Sequence, residues 1–512
     1  MHKNKFLSLT VSFALAALAL GGTTPAIAAT KTVTIAVPGL PPSQGNPFRE
    51  GPGTPGINTY AAIFDALTFV DTRGTVQPRL ALSWKNTSPT TWEFTLRKGV
   101  KFSNGEPFNA DSVVANIEYL TSADGRRTVI GGTELPGVAS AKKISDLVVE
   151  ITTQATATSL AADAILPAKL SALYIVEPKA WKEAGATVFA EKPIGTGPFK
   201  VDSLTTTRIE LSAFKTSWRK PKSDKLVIIP LADAAARLQA LQSGQVNLVT
   251  SLNPDQISAV RLAKGTAVSI AAPQVMSLAF NVVKGGPVAD VRVRQALNYA
   301  VNKTSIANRL LDGRGKAATQ GVTPTVNGYN DKVVGYPFNP GKARQLLAAA
   351  GYANGLTINA DITVGSFPSD NLIYQSVKSD LAKVGVTLNY TTITFAQWLP
   401  QYNANSWRGE AFGLSWNSAP RADASRPYEI FVCKPVGPFY CDAAQSALVK
   451  SAQTEFDTKK RLAILKDVAV KVTASAPALY IIEQIDLFGL GKGTTGFSVT
   501  NRSIAYENIT VK

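Results

Sequence analysis

Four side chains that can bind a solute or assist acid–base chemistry stand close together late in the sequence: Trp416, Asn417, Arg421 and Asp423. The indole of Trp416 can stack on a ligand, or it can end a strand inside the core. Asn417 can form hydrogen bonds to a ligand, or it can simply terminate that strand. Arg421 can hold a carboxylate or a phosphate, although surface arginines are commoner. Asp423 can receive an amino group, or it can pair with Arg421 or Arg426 as part of the structure.

A second group of candidates lies in a Pro- and Gly-rich segment between Gly39 and Gly56. A loop of this length is unusual as a plain connection, which favours a functional role. Its candidate ligand-binding residues are Asn46, Phe48 and Arg49. Ordinary packing of the loop is an alternative that the sequence favours at least equally.

Histidine chemistry is excluded for nearly the whole chain, because the one histidine is His2. The remainder therefore lacks the imidazole of Ser-His-Asp and Cys-His sites, of the usual zinc centres and of general bases near neutral pH. Carboxylate-only catalysis stays open, but no spacing marks a carboxylate pair. No Gly-rich phosphate-binding loop stands between a strand and a helix. We predict a protein that is not an enzyme and has neither a metal site nor a cofactor.

The two cysteines, Cys433 and Cys441, flank a short segment that contains Pro435, Gly437 and Pro438. In an oxidising compartment they are expected to form a disulfide across a small surface loop. A catalytic thiol is not supported, because no candidate base is evident nearby.

The N-terminal segment has the pattern of a cleaved signal peptide. Lys3 and Lys5 give it a basic start, residues 6–20 are apolar, and Ala26 and Ala28 offer small residues for cleavage. The apolar run is short for a membrane span, so a retained signal anchor is the less favoured alternative. We expect residues 1–28 to be removed and the mature chain to be periplasmic.

Length and composition predict a folded protein of two or three lobes. Of the 512 residues, 45% are hydrophobic and 17% are charged, which suits a large core and not disorder. The leader holds two of the 53 basic residues and none of the 36 acidic ones, so the formal charge falls from +17 to +15 when it is removed. The basic residues are dispersed, which indicates a basic surface and not a nucleic-acid-binding protein.

The clearest pattern of secondary structure precedes Trp416. Helices with an apolar stripe are predicted around residues 343–350, 373–384 and 395–402, and strands at residues 356–362, 386–390 and 411–416. This alternation predicts an α/β fold with a largely parallel sheet. Ligands of such sheets bind beyond the carboxyl ends of the strands, which places the segment after Trp416 at the binding edge.

Other elements are predicted earlier in the chain. Residues 31–38 alternate as a strand, and Asn109 can cap a helix. Residues 293–301 carry an apolar helical stripe. Arg292 and Arg294 fall outside that stripe, so we expect them on the solvated surface.

Several short motifs occur in one order along nearly the whole mature chain. They are Ile63–Thr68 (IFDALT), Pro78–Trp84 (PRLALSW), Thr91–Phe108, Ile194–Phe199 (IGTGPF), Val291–Leu297 (VRVRQAL) and the Cys433/Cys441 loop. In this order they resemble the peptide/nickel class, family 5, of the periplasmic substrate-binding proteins of ABC transporters, which includes dipeptide and oligopeptide binders.

The resemblance implies a two-lobed periplasmic binding protein fold of the large class II type, which closes over its solute at a hinge. It assigns residues 29–56, 191–275 and 485–512 to lobe I, residues 57–190 to an extra subdomain of lobe I, and residues 276–484 to lobe II. The first long loop, with Asn46, Phe48 and Arg49, is then expected near the cleft. The implied partners are a small solute and the permease and ATPase subunits in the inner membrane, with the receptor itself a monomer.

The sequence departs from the dipeptide binders at the residues that hold the peptide ends. These proteins place an aspartate, which pairs with the peptide amino group, three positions after the tryptophan that matches Trp416. Here that position is Ala419, and residues 364–371, where a basic residue grips the peptide carboxylate, contain no Lys or Arg. The histidine of the nickel binders is absent too. Because a buried charge without its partner is costly, simple dipeptides are disfavoured.

The leading hypothesis is the extracytoplasmic receptor of an ABC importer, which captures a peptide or peptide-like solute by hinge closure. A receptor for an opine, an oligosaccharide or another anionic organic solute is the alternative, favoured by Arg421 and by the basic charge. An exported carboxylate-dependent hydrolase is a distant third. Trp398 and Tyr428 are expected in the core and not in the binding site.

Overall fold

A computed structural model describes residues 30–50, 55–156, 160–365, 367–434 and 436–512. The predicted leader, residues 1–28, lies outside this part of the chain, and so does Pro435 of the cysteine loop. In the part that is described, no helix is both long enough and apolar enough to cross a membrane.

The secondary structure is a succession of strands and helices in which the long loops are few. The strands are β1 (Thr32–Val37), β2 (Thr68–Val70), β3 (Val76–Pro78), β4 (Ala81–Ser88), β5 (Thr91–Leu96), β6 (Val138–Ser145), β7 (Val148–Thr153), β8 (Phe199–Leu204), β9 (Ile209–Ala213), β10 (Lys225–Pro230), β11 (Leu248–Val249), β12 (Thr266–Phe280), β13 (Lys316–Ala317), β14 (Leu356–Ile362), β15 (Val386–Thr392), β16 (Ala411–Asn417), β17 (Ala478–Leu490), β18 (Thr494–Thr495), β19 (Val499–Thr500), β20 (Ser503–Ile504) and β21 (Thr510–Val511). The helices are α1 (Ile57–Ile63), α2 (Ala110–Thr121), α3 (Ala123–Arg126), α4 (Leu166–Lys169), α5 (Pro178–Glu191), α6 (Ala234–Gln242), α7 (Ile257–Leu262), α8 (Val291–Ala300), α9 (Lys303–Leu310), α10 (Pro340–Ala349), α11 (Asp370–Ala382), α12 (Phe395–Ala404), α13 (Ser425–Phe431), α14 (Ala443–Thr454) and α15 (Thr458–Ser475).

One large sheet runs through the molecule in the order β15-β14-β16-β12-β17-β11-β1-β10-β9-β8, with β13 beside β17. Its middle is the long antiparallel pair β12 and β17, which is interrupted by a bulge. Ala271 pairs with Ile485, but Val275 pairs with Glu483, so residues 272–274 stand opposite a single residue. Such a bulge bends the strands locally. The lobe boundaries predicted from the sequence fall here; they stay a prediction, and the bulge supports them.

The parallel pairing predicted for the strands near residues 356–362, 386–390 and 411–416 is confirmed, but the sheet as a whole is mixed and not largely parallel, because its middle strands β12 and β17 and its end strands β8 and β9 pair antiparallel. β14 pairs in parallel with β15 and β16. On the other side of the bulge, β1 pairs in parallel with β10 and β11. The bounds of β14 are those predicted, and the buried side chains of β1 include Val33, Ile35 and Val37. The antiparallel strands β12 and β17 had no such signal in the sequence.

A separate four-stranded sheet, in the order β4-β5-β7-β6, lies within residues 81–153. Trp92, Phe94 and Leu96 turn one face of β5 to the core, as their alternation predicted. Next to it, α2 begins at the predicted cap: the Asn109 Oδ1 accepts a hydrogen bond of 3.2 Å from the backbone N–H of Ser112. These elements belong to the segment assigned to the extra subdomain.

The prediction that Arg294 lies on the solvated surface is wrong. Its side chain is buried, and its guanidinium donates hydrogen bonds to four backbone carbonyls, those of Val288, Ala289, Ser475 and Ala476. Position outside the apolar stripe did not indicate this role, because the acceptors are backbone atoms at the ends of other elements. Arg292 is exposed, as predicted.

We therefore expect Arg294→Met to destabilise the protein strongly. The substitution removes charge-assisted hydrogen bonds and leaves buried carbonyls unpaired, so the free energy of unfolding should fall by about 3 kcal/mol. Urea denaturation followed by tryptophan fluorescence measures it. The matched control is Arg292→Met, which removes an exposed ion pair with Asp290 and should cost much less. Equal losses in the two variants would contradict the assignment.

Candidate functional site

Trp416 lies inside the core at the end of β16. Its ring packs against Tyr428, Phe431 and Tyr480, with centroid separations of 6.4, 4.9 and 5.1 Å. The backbone of Gly321 covers one side of the indole so closely that a Cβ there would lie 2.5 Å from the ring. Trp416 thus ends its strand inside the core, which is the second of the two alternatives given for it. Its stacking on a ligand stays a prediction.

Asn417 shapes the turn that follows β16. Its Oδ1 accepts a 2.8 Å hydrogen bond from the backbone N–H of Ala419, and its backbone carbonyl accepts one from Arg426. Tyr428 is buried in the core, as predicted. Trp398 is half-buried and packs against that core, and its Nε1 donates to the carbonyl of Gly413 at 2.9 Å. The segment after the strand is therefore held by its own hydrogen bonds.

Arg421 is fully buried and is paired with two carboxylates. Its Nη2 lies 3.0 Å from a carboxylate oxygen of Glu134, and its Nη1 lies 3.0 Å from Glu429. Arg426 holds the other oxygen of Glu134 at 2.6 Å. Glu134 ends a short π-helix, Ile130–Glu134, in the segment assigned to the extra subdomain. Arg421 thus has protein partners from a distant part of the chain, and its contact with a solute stays a prediction.

Two guanidinium groups stabilise the buried charge of Glu134. Burial alone would raise its pKa, but Arg426 and Arg421 more than offset this and hold the pKa below the usual value of 4.5. The carboxylate is completely enclosed, and both arginines contact it directly.

Asp423 pairs with Arg461 and not with Arg421 or Arg426, which corrects the structural partner expected from the sequence. Its two carboxylate oxygens accept hydrogen bonds of 3.1 and 2.8 Å from Arg461. The contact of Asp423 with a solute stays a prediction. Close to this pair, Lys169 lies 2.8 Å from Asp163.

These pairs form one buried group with as many acids as bases, which we name the ion cluster. It consists of Glu134, Asp163, Asp423, Glu429, Lys169, Arg421, Arg426 and Arg461. Glu134, Asp163 and Lys169 come from the predicted extra subdomain, and the others from predicted lobe II. The cluster therefore joins the two parts of the chain that a hinge at the β12–β17 bulge would separate.

Other contacts also cross between these parts. The N–H of Ala164 donates to the carbonyl of Gln453 at 2.8 Å, and the ring of Trp92 stacks on Phe456 at a centroid distance of 6.2 Å. Residues 31–512 accordingly form a single compact unit. The structure is that of a closed arrangement.

The first loop is packed against its surroundings. The Asn46 Oδ1 accepts a 3.1 Å hydrogen bond from the N–H of Phe48, and Phe48 packs against Tyr119 and Trp181 with centroids 5.2 and 5.0 Å apart. Arg49 is exposed. The loop is thus packed against the protein in this structure, and its contact with a solute stays a prediction.

A cavity of about 40 Å³ lies where the turn after β16 faces α1, β2 and the C-terminal segment. Its lining includes Phe64, Asp65, Arg79, Tyr174, Pro420 and Asn501. Small-molecule sites are commonly about 300–1,000 Å³, so this cavity is too small for a whole solute. Sequence reasoning missed Arg79, Tyr174 and Asn501, because contact across such separations has no local pattern.

Cys433 and Cys441 are joined by a disulfide bond. The N–H of Cys433 also donates to the carbonyl of Tyr440 at 3.2 Å. Phe439 and Tyr440 are buried in the same core as Trp416. The disulfide loop therefore packs against the core around Trp416 and does not line the cavity.

Comparison with known proteins connects this arrangement to a family. Residues 75–436 match the bacterial extracellular solute-binding proteins, family 5. Heme-binding protein A of Haemophilus influenzae is 31% identical over 367 residues, which are 66% of each chain. The dipeptide-binding protein of Escherichia coli is 29% identical over 461 residues, which are 83% of this chain and 84% of its own.

The fold is shared with solved structures. The ABC transporter-associated periplasmic binding protein DppA of Helicobacter pylori, in complex with the peptide STSA, aligns with a TM-score of 0.81 at 21% identity. The alignment covers 94% of this chain and 98% of that protein. The predicted two-lobed α/β periplasmic binding protein fold is thereby confirmed.

We expect Glu134→Gln to open the ligand-free protein. The neutral amide leaves Arg421 and Arg426 buried without their shared counter-charge, and breaking such a pair costs about 3–5 kcal/mol. Small-angle X-ray scattering should show a larger radius of gyration than in the wild type. The control is Glu93→Gln in the same segment, whose carboxylate pairs with the exposed Lys85 at 2.8 Å. An unchanged radius in Glu134→Gln would contradict a closing role.

The stability of the closed form should also depend on pH. Because the pKa of Glu134 is lower in the folded protein than its usual 4.5, its stabilisation is complete above that pH and is lost as the pH falls through the folded pKa. Scattering from pH 7 downwards should show opening only below about pH 4.5. Glu134→Gln should lack this component of the transition, and identical curves for the two proteins would exclude Glu134 as its source.

Proposed function

The chain belongs to family 5 of the bacterial extracellular solute-binding proteins, and we propose that it captures a peptide or peptide-like solute for an ABC importer. It is a binding protein and not an enzyme. The proposal is carried by the closed contact at the ion cluster, opposite a bulge in the strands that connect the two halves of the sheet. We place its action in the periplasm, after removal of residues 1–28.

Capture proceeds by hinge closure in this proposal. Bending at residues 272–274 of β12 separates the turn after β16 from α1 and β2, which opens the small cavity to solvent. A solute then binds between the surfaces and shifts the equilibrium towards the closed form, provided that it binds this form more tightly. The permease recognises the closed receptor, a monomer, and the ATPase subunits drive release into the cell.

The favoured solutes are oligopeptides or modified peptides. Ala419 is fully buried, and its N–H is held by Asn417, so this position offers no carboxylate to a peptide amino group. A receptor for an opine or an oligosaccharide is less favoured, because a relative named for dipeptide binding covers 83% of this chain.

Mass spectrometry of the solute that co-purifies with the native protein tests the proposal directly. A peptide or peptide derivative in a one-to-one complex is the expected result. If the protein instead converts a substrate beyond one equivalent, or holds a solute with no peptide-like group, the proposal fails.

Simple dipeptides should stabilise the protein little. With no acid at position 419 and no base within residues 364–371, neither end of a free dipeptide finds its usual partner. In a thermal shift assay, Ala-Ala and Gly-Leu at about 1 mM should raise Tm by less than about 1 °C, whereas a pool of longer peptides should raise it by several degrees. Micromolar binding of the simple dipeptides would contradict the role assigned to Ala419.

A further inference from the structure

We propose that Arg79 is the anion-binding residue of the cleft and that it receives a carboxylate of the solute. Arg79 lines the cavity between α1, β2 and Pro420, whereas the sequence directed attention to Arg421. The inference rests on the proposed function, because it names the chemistry of the solute that the same cleft takes.

The first step is the charge balance around Trp218. The guanidinium carbons of Arg79, Arg97 and Arg219 lie 5.5, 4.3 and 5.9 Å from the centroid of this ring. Within the described residues, the salt bridges of these arginines involve only two acids, Asp65 and Glu507. In that part of the chain Arg97 has no acidic partner, and Arg79 and Arg219 share Asp65, so the three arginines carry one charge more than the two acids.

The second step is the use of the donors. Arg219 uses both of its terminal nitrogens: one lies 2.9 Å from Glu507, and the other donates to the carbonyls of Ala61 and Phe64. Arg79 uses its Nε on Asp65 at 2.9 Å, and in the described part of the chain its two terminal nitrogens have no acceptor. Two parallel N–H donors of this kind match the two oxygens of a carboxylate.

The third step is the space next to these donors. The cavity of about 40 Å³ has room for about three water-sized groups, which is the size of a carboxylate and not of a whole solute. Pro420 lies among its lining residues, so the turn after β16 covers the site in the closed form.

In the ion cluster, by contrast, each cation already has an acidic partner. Arg421 and Arg426 share Glu134, Arg421 also holds Glu429, and the acids and bases of the cluster are equal in number. A solute anion placed there would have to displace a buried carboxylate. At Arg79 it offsets the excess positive charge of the three arginines. Burial, and then repulsion from Arg219, lower the pKa of Arg79, and an anion offsets that repulsion.

The fold should tolerate substitution at Arg79. Asp65 keeps three other partners, namely Arg219, the Thr196 hydroxyl at 2.9 Å and the Trp218 Nε1 at 2.9 Å. Arg79→Gln therefore removes the surplus charge without leaving the buried carboxylate unpaired. Arg79→Lys keeps the charge and removes the paired donors.

The test uses a pool of random tetrapeptides with free carboxyl ends and the same pool with C-terminal amides. Wild-type protein, Arg79→Gln, Arg79→Lys and the control Arg73→Gln, an exposed arginine outside the cavity, are compared by titration calorimetry and thermal shift. The wild type and Arg73→Gln should bind the free pool about tenfold more tightly than the amides. Arg79→Gln should lose this preference, and Arg79→Lys should keep only part of it.

Each other outcome decides a different point. Equal binding of both pools by the wild type, or a preference that survives in Arg79→Gln, overturns the role of Arg79 and leaves peptide capture standing. If the wild type binds neither pool, peptide capture itself fails and the inference fails with it. Circular dichroism and thermal unfolding confirm folding of the variants; if Arg79→Gln is unfolded, the result for Arg79→Lys decides, and an undiminished preference there overturns the proposal.

Discussion

The closed structure depends on the burial of one carboxylate, that of Glu134, between Arg421 and Arg426. A charge in such a place is tolerated only with its counter-charges in contact. A partly opened arrangement would leave the carboxylate dehydrated and the guanidinium groups apart, which costs more than either end state. The contact therefore makes closure close to all-or-none, because all three groups are either paired or returned to water.

The hinge and the ion cluster are complementary parts of this two-state behaviour. The bulge opposite residues 272–274 interrupts the ladder of the two long strands, so bending there breaks few additional hydrogen bonds. The cluster lies across the opening that this bend creates, and its charges sum to zero. The contact holds the two surfaces together without selecting any solute, and selection is left to the cavity, where the two terminal nitrogens of Arg79 have no acceptor within the described residues.

The sequence pattern predicted those features that depend on interactions between residues close together in the chain. The strand at Leu356–Ile362, the cap at Asn109 and the parallel arrangement around β14 follow from periodicity and capping chemistry. The partners of Arg421 do not, because Glu134 is 287 positions away in the sequence. Arg294 shows the same limit, since it binds backbone carbonyls that any residue could supply.

The strand-end rule predicted which turn borders the cavity, but it did not predict the partners of the charged side chains in that turn. The turn after β16 does border the cavity, through Pro420, yet its charged side chains point to protein partners. A rule about sheets places backbone, whereas a charge takes whichever counter-charge the tertiary fold brings within reach. What separates Arg79 from Arg421 and Arg426 is the tertiary environment of its terminal nitrogens, which have no acceptor within the described residues.

A closed form that exists without solute has a consequence for affinity. If only a fraction of the receptor is in the closed form that binds the solute more tightly, the apparent Kd exceeds the intrinsic one by the inverse of that fraction. The strength of the Glu134 contact therefore sets how much affinity is given up, and it does so equally for every solute. Contacts such as that of Arg79 with a carboxylate act on one class of solute alone. Affinity and selectivity are thus controlled by different residues, and each can change without altering the other.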